Sequence, residues 1–172
     1  MLRPFRRGII IVLALFFILE ISVTIAKKPM EIPVHPVPLE IQTKQGMISY
    51  KVEVAFTSSQ AAAGLMYRTD FPRDRAMLFR NQVSNKVKDE QKMFMWMANT
   101  PLPLDMIFLN DQGIIVSIVE KTSPFSTDII SSRVPAAFAI EVNAGEVYEK
   151  KIKKGQRILH PAICGKCESD TK

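Results

Sequence analysis

Apolar and polar residues alternate along Leu39–Thr43 and again along Ile48–Phe56, on either side of a turn at Gln45-Gly46-Met47. Val52, Val54 and Phe56 share one face while Lys51 and Glu53 point the other way, which predicts a β-hairpin. Thr57 or Ser58 then caps a predicted short helix through Ala61, Ala62, Ala63, Leu65 and Met66, a run that alanine favours intrinsically, and Pro72 closes the region. Further strands are predicted at Ala76–Phe79, Met93–Met97 and Leu104–Leu109, with a polar, Lys-rich loop over residues 81–92. Asn110-Asp111-Gln112-Gly113 turns the chain into Ile114–Glu120, the clearest hairpin, and Ala136–Val142 gives one more strand. Asn143 with Glu146 three residues on is a capping signature, Gly155 a helix stop, and Gln156–Leu159 a last strand. Many short strands and two short helices predict a mainly β fold, a compact barrel-like or sandwich-like domain. The chain has no βαβ rhythm, internal repeat or glycine-rich phosphate loop.

The pattern changes at the front. Arg3, Arg6 and Arg7 precede an almost unbroken apolar stretch, Gly8–Leu19, which Glu20 interrupts and ISVTIA continues to Ala26. A basic start, an apolar run and small residues at Thr24 and Ala26 make residues 1–26 a signal peptide or, uncut, an N-terminal membrane anchor over residues 8–26. Export to the periplasm or the cell exterior follows in either case, with membrane contact only through this segment. Pro29, Pro33, Pro36 and Pro38 make residues 27–38 a proline-rich tether. Residues 39–159 form a single β-rich domain, and residues 160–172 a C-terminal tail.

Composition matters once this division is made. The 172 residues are 47% hydrophobic with a net charge of +6, but the first 26 hold 18 apolar residues. Of the charge, +3 lies in residues 1–38 and +3 in residues 39–172. The folded part is therefore nearly balanced. Its densest basic run, Lys150 to Arg157, has no aromatic platform, which argues against nucleic acid as a partner.

The segments GLMYR (Gly64–Arg68), MLF (Met77–Phe79), WMANTPLPLDMIF (Trp96–Phe108) and EVNAG (Glu141–Gly145) resemble the bacterial and archaeal family called domain of unknown function 192. The ordered series spans about Leu39 to Ile158. The resemblance implies a compact, mainly β domain, often exported, without an established activity. It places the family's polar signature on Arg68, Asn99, Thr100, Asp105, Ser126 and Ser132, and its aromatic–methionine pair on Trp96 and Met97. Ala98, Ala61, Ala76 and Gln156 depart from the common lysine, arginine, glycine and aspartate, which weakens any anion-binding role.

Asp105 lies between Leu104 and Met106 in a strand that otherwise belongs to the core, so its carboxylate must find donors or shift its pKa. It either locks a turn or joins Arg68 and Asn99 in a ligand site, with Trp96, Thr100, Ser126 and Ser132 as further candidates. A hydrolase built on Asp105 is the catalytic alternative, but no second carboxylate or base–nucleophile pair accompanies it, so an enzyme is disfavoured. Met93, Met95 and Met97 would share one face of a strand, as core packing or, less simply, as a soft-metal site. His160, Cys164 and Cys167 form H-x3-C-x2-C, one ligand short for structural zinc; in an oxidising compartment Cys164 and Cys167 most simply form a disulfide. His35, among prolines, reads as exposed. No cofactor or metal is called for. The function that emerges is a non-enzymatic exported binding module, or an envelope-associated accessory, with an unidentified small ligand or an envelope protein as partner; the alternatives are a hydrolase-like enzyme using Asp105 or a thiol- or metal-binding protein using His160, Cys164 and Cys167.

Overall fold

The computed structural model describes residues 27–82 and 91–165. Its strands are β1 (Leu39–Thr43), β2 (Gly46–Ala55), β3 (Arg75–Arg80), β4 (Lys92–Met95), β5 (Leu104–Leu109), β6 (Ile115–Val119), β7 (Ile130–Pro135), β8 (Phe138–Asn143) and β9 (Arg157–Leu159). The helices are α1 (Ser58–Ala63), α2 (Glu146–Glu149) and α3 (Pro161–Cys164). Seven strands form one mixed sheet in the order β6-β5-β8-β3-β2-β1-β9, and β4 pairs with β7 in a separate ribbon. Among the described residues only β2 and β3 pair in parallel, with α1 in the crossover between them.

The sheet curls until its edges meet. Ile114 bridges Arg157, the Ile115 N–H donates to the Gln156 carbonyl at 2.9 Å, and the Ile158 N–H donates to the Gly113 carbonyl at 2.8 Å. A nearly closed barrel results, which removes most of the exposed strand edge. Gly113 is required at this seam, because its φ is +78° and an added Cβ would sit 2.6 Å from the Ile158 carbonyl oxygen.

Alternation then sorts the side chains. Leu39, Ile41, Val52, Leu78, Ile107 and Ile140 point inward to form the barrel core. The intervening residues of β3, β5 and β8, among them Met77, Phe79, Met106, Phe108 and Ala139, face outward yet are also buried. The β4–β7 ribbon covers that second face, contributing Met93 and Met95 with Met97 just beyond. The three methionines share one buried side while Phe94 and Trp96 are exposed on the other, so the alternation expected of the stripe holds and its thioethers pack in a core.

Several details differ from expectation. β7 stands where no strand was predicted, because Ser131, Ser132 and Arg133 break the apolar alternation there. The second helix is confined to Glu146–Glu149, and Gly145, not Asn143, is its N-cap, with no side-chain cap bond of its own. Asn143 instead donates its side-chain amide to the Phe71 carbonyl at 2.8 Å. A third helix, α3, begins the tail, its first turn closed by the His160 side chain accepting from the Ala162 N–H.

The expected tether is not free along its length. Ile32 is buried, Val34 bridges Glu53, and the His35 N–H donates to the Val52 carbonyl at 2.7 Å. His35 is half-buried, not exposed, with its ring edge-on to His160 and Nδ1 3.2 Å from the His160 Nε2. Burial and the neighbouring His35 hold the His160 pKa below its usual value. The N-terminal segment 1–26, most of the expected Lys-rich loop and Cys167 lie outside the described residues. Among the described residues no helix is long and apolar enough to cross a membrane.

Candidate functional site

Asp105 lies in step with Ile107 and Leu109 on the inward face of β5 and is fully buried. Its Oδ1 accepts from the Lys121 backbone N–H at 2.8 Å, and its Oδ2 from those of Gly145 at 2.9 Å and Val147 at 3.0 Å. Two of these donors belong to the first turn of α2, so the carboxylate supplies the cap that helix lacks locally. All three bonds lie in the buried interior, where Asp105 itself is fully enclosed.

Arg68 is committed elsewhere. Its guanidinium grips the buried Glu53 carboxylate with two bonds, at 2.9 and 2.6 Å, and reaches the Met30 carbonyl at 3.0 Å, while Arg75 adds a third bond to Glu53 at 3.1 Å. Asn99 adopts the left-handed conformation, φ +57°, which asparagine tolerates well. Its carbonyl accepts from the Tyr67 N–H at 2.8 Å, joining the GLMYR turn to the WMANT turn. The expected trio of Arg68, Asn99 and Asp105 therefore shares no hydrogen-bond partner. Ser126 pairs with Asp128 on a half-exposed loop.

Ser132 is buried between ribbon strands, accepting from the Met93 N–H at 2.9 Å and donating to the Val134 carbonyl. Ser132→Ala leaves that amide without its partner, and a loss of about 1–3 kcal/mol is expected. Denaturant unfolding measures it, with faster amide exchange concentrated at Met93. Equal exchange there in both proteins would show that the hydroxyl does not hold the ribbon.

The outward face carries the cavity. A groove of about 730 Å³ opens between the barrel wall, α1 with its following turn, and β4. Ala61, Ala62, Leu65 and Met66 form one side, Met93, Met95 and Trp96 the other, and Phe79 and Glu141 come from the barrel. Arg80, Asn81 and Lys92 stand among the polar lining residues. Gly64, in the GLMYR turn, has φ +45°, which strains any other residue there, and an added Cβ would only reach van der Waals contact with the Phe79 ring at 3.4 Å. Of the seven residues expected to bind a ligand, Trp96 and Thr100 line this groove; Arg68, Asn99, Asp105, Ser126 and Ser132 do not.

Glu141 is the residue that sequence analysis did not single out. On β8 it faces Met77 of β3 on one side and Met106 of β5 on the other, and it is 4% exposed. Its Oε2 has no hydrogen-bond partner among the described residues. Burial raises its pKa to about 8, against a smaller opposing pull from Arg68. A carboxylic acid kept neutral near pH 7 at the wall of an apolar groove is a recurrent mark of functional sites. The signal was present in sequence: Glu141 interrupts the apolar run Phe138–Val142 just as Asp105 interrupts β5.

In the tail, His160 directs Nδ1 to the Ala162 N–H and Nε2 toward His35 and the Val37 carbonyl. Both ring nitrogens are thus engaged within the fold, away from Cys164, whose Sγ lies 3.3 Å from the His160 carbonyl oxygen. Among the described residues no group of three His, Cys, Asp or Glu side chains is arranged to hold a metal. Cys164 is not a free thiol; Cys167, and with it the expected pairing, lies outside the described residues.

A model of the DUF192 family, described as an uncharacterized ACR, matches residues 40–160. A solved structure from Sinorhizobium meliloti 1021, whose description offers transcription regulation as a conjecture, is 36% identical. It aligns with a TM-score of 0.67 over 76% of this chain and 97% of its own. A protein of unknown function from Novosphingobium aromaticivorans DSM 12444 is 26% identical, with a TM-score of 0.66 over 76% of this chain and 94% of its own. No curated protein matches.

Proposed function

The chain belongs to the DUF192 family, and from that premise we propose that it is a non-enzymatic binding module whose small, largely apolar ligand seats in the groove beside Glu141. One observation carries the proposal: a groove of about 730 Å³, walled by methionine, aromatic and alanine side chains, ends on a buried acid whose Oε2 is unpartnered. That size falls within the roughly 300–1,000 Å³ of small-molecule sites, which combine apolar walls with a few polar groups. Delivery outside the cytoplasm, through residues 1–26, belongs to the same proposal and is supported by the basic start and apolar run of that segment. An envelope protein as partner has no surface arguing for it as strong as the groove.

The test uses N-phenyl-1-naphthylamine, a dye that fluoresces on entering an apolar site. Wild type is expected to saturate at one dye per chain. Ala62→Trp fills the groove from an exposed helix position and should weaken the dye by tenfold or more, with unfolding unchanged. Non-saturable binding, or equal binding by a folded Ala62→Trp variant, contradicts the proposal.

A further inference from the structure

We infer that the groove takes an organic cation, an ammonium group carried on an apolar body, with the charge seated against the Glu141 carboxylate. The inference rests on the groove being a binding site, as proposed above, and adds the class of ligand.

Three observations lead to it. First, Glu141 finds no partner in the fold: its strand neighbours are Met77 and Met106, and its Oε2 makes no hydrogen bond among the described residues. Buried polar groups are almost always satisfied, and an exception calls for a reason such as a missing ligand. Second, the cation nearest in effect, Arg68, is already spent on Glu53 through two bonds, with Arg75 adding to the same carboxylate. Glu141 therefore keeps an unmet preference for positive charge. Third, the walls suit a cation on an apolar stem. Trp96 and Phe79 bring aromatic rings and Met66, Met93 and Met95 polarisable sulfur, an apolar lining suited to the stem, while Arg80 and Lys92 among the same lining residues leave Glu141 as its acidic group.

Binding such a ligand moves one proton. Free Glu141 is protonated near neutrality; the incoming ammonium displaces that proton to solvent and leaves a carboxylate–ammonium pair. Affinity must then rise with pH while free Glu141 is still protonated and level off above its midpoint of about 8. The charged groups around it are Arg68 from the turn after α1, Arg80 on β3 and Lys92 on β4.

The experiment compares hexylamine, hexanol and hexanoate as competitors of the dye on the folded protein. Hexylamine is expected to displace it at least tenfold better than either of the others at about pH 8, and to lose about tenfold per pH unit on going down to about pH 6. Glu141→Gln, with its own dye affinity measured first, should erase the preference of hexylamine over hexanol. Hexanol or hexanoate winning, or a hexylamine affinity that ignores pH or survives unchanged in Glu141→Gln, overturns the cation inference and leaves the groove proposal standing. Failure of the dye itself to bind overturns both.

Discussion

Asp105→Ala is expected to lower the unfolding free energy by about 4 kcal/mol. Three backbone N–H groups, from Lys121, Gly145 and Val147, lose their acceptor in a fully buried place. Removing one member of a buried, charge-assisted network costs roughly 3–5 kcal/mol, because the remaining polar groups stay desolvated. Asp105→Asn preserves volume and one acceptor oxygen but turns an NH2 toward a donor, and should lose about 2 kcal/mol or more. Urea unfolding at neutral pH measures both. Dye binding by the folded Asp105→Asn protein should match wild type, since the carboxylate lines no part of the groove. A variant within about 1 kcal/mol of wild type would show that the cap of α2 does not depend on this side chain.

Glu141 should act in the opposite direction. Its pKa rises from 4.5 to about 8 on folding. Below about 4.5 both folded and unfolded chains hold the proton, and the acid costs nothing electrostatically. Between 4.5 and about 8 the unfolded chain releases the proton and the folded chain retains it. Stability therefore falls as pH rises through that window, by about 1.4 kcal/mol per unit for one proton, and levels off above it. Glu141→Gln carries no such proton. Its stability relative to wild type should grow steadily across the window, reaching a gain of a few kcal/mol near pH 8. Parallel stability–pH curves for the two proteins would contradict the assignment. A buried acid that costs the fold this much is the kind of position the proposed binding role would explain.

The two carboxylates also show how far the sequence can be read. Each interrupts an apolar strand, and that interruption is visible in one dimension. What separates them is parity against the barrel. Asp105 keeps step with Ile107 and Leu109 and enters the sealed interior, while Glu141 keeps step with Ala139 and faces the groove. Which face of a strand looks into the barrel and which meets a second layer depends on the β4–β7 ribbon, and that pairing joins residues about forty apart. The strands themselves were legible where apolar and polar residues alternate, as in β1 and β2, or where apolar residues run together, as in β5. β7 was not, because Ser132 is buried there for its hydrogen bonds and not for apolarity, and Ser131 is only half-buried. The cap of α2 was illegible for a related reason: the acceptor comes from β5, far from the local Asn143–Glu146 pattern that resembles a capping box. Among the expected site residues, Trp96 and Thr100 line the groove, whereas Arg68 and Asn99 hold the walls together from outside it.

The most direct measurement is the carbon-13 NMR titration of the Glu141 side-chain carboxyl, assigned by its disappearance in Glu141→Gln, with and without saturating hexylamine. The free protein should titrate with a midpoint of about 8, and the amine should drive that midpoint down toward the ordinary carboxylate range. A free midpoint near 4.5 that the amine leaves in place would contradict the account.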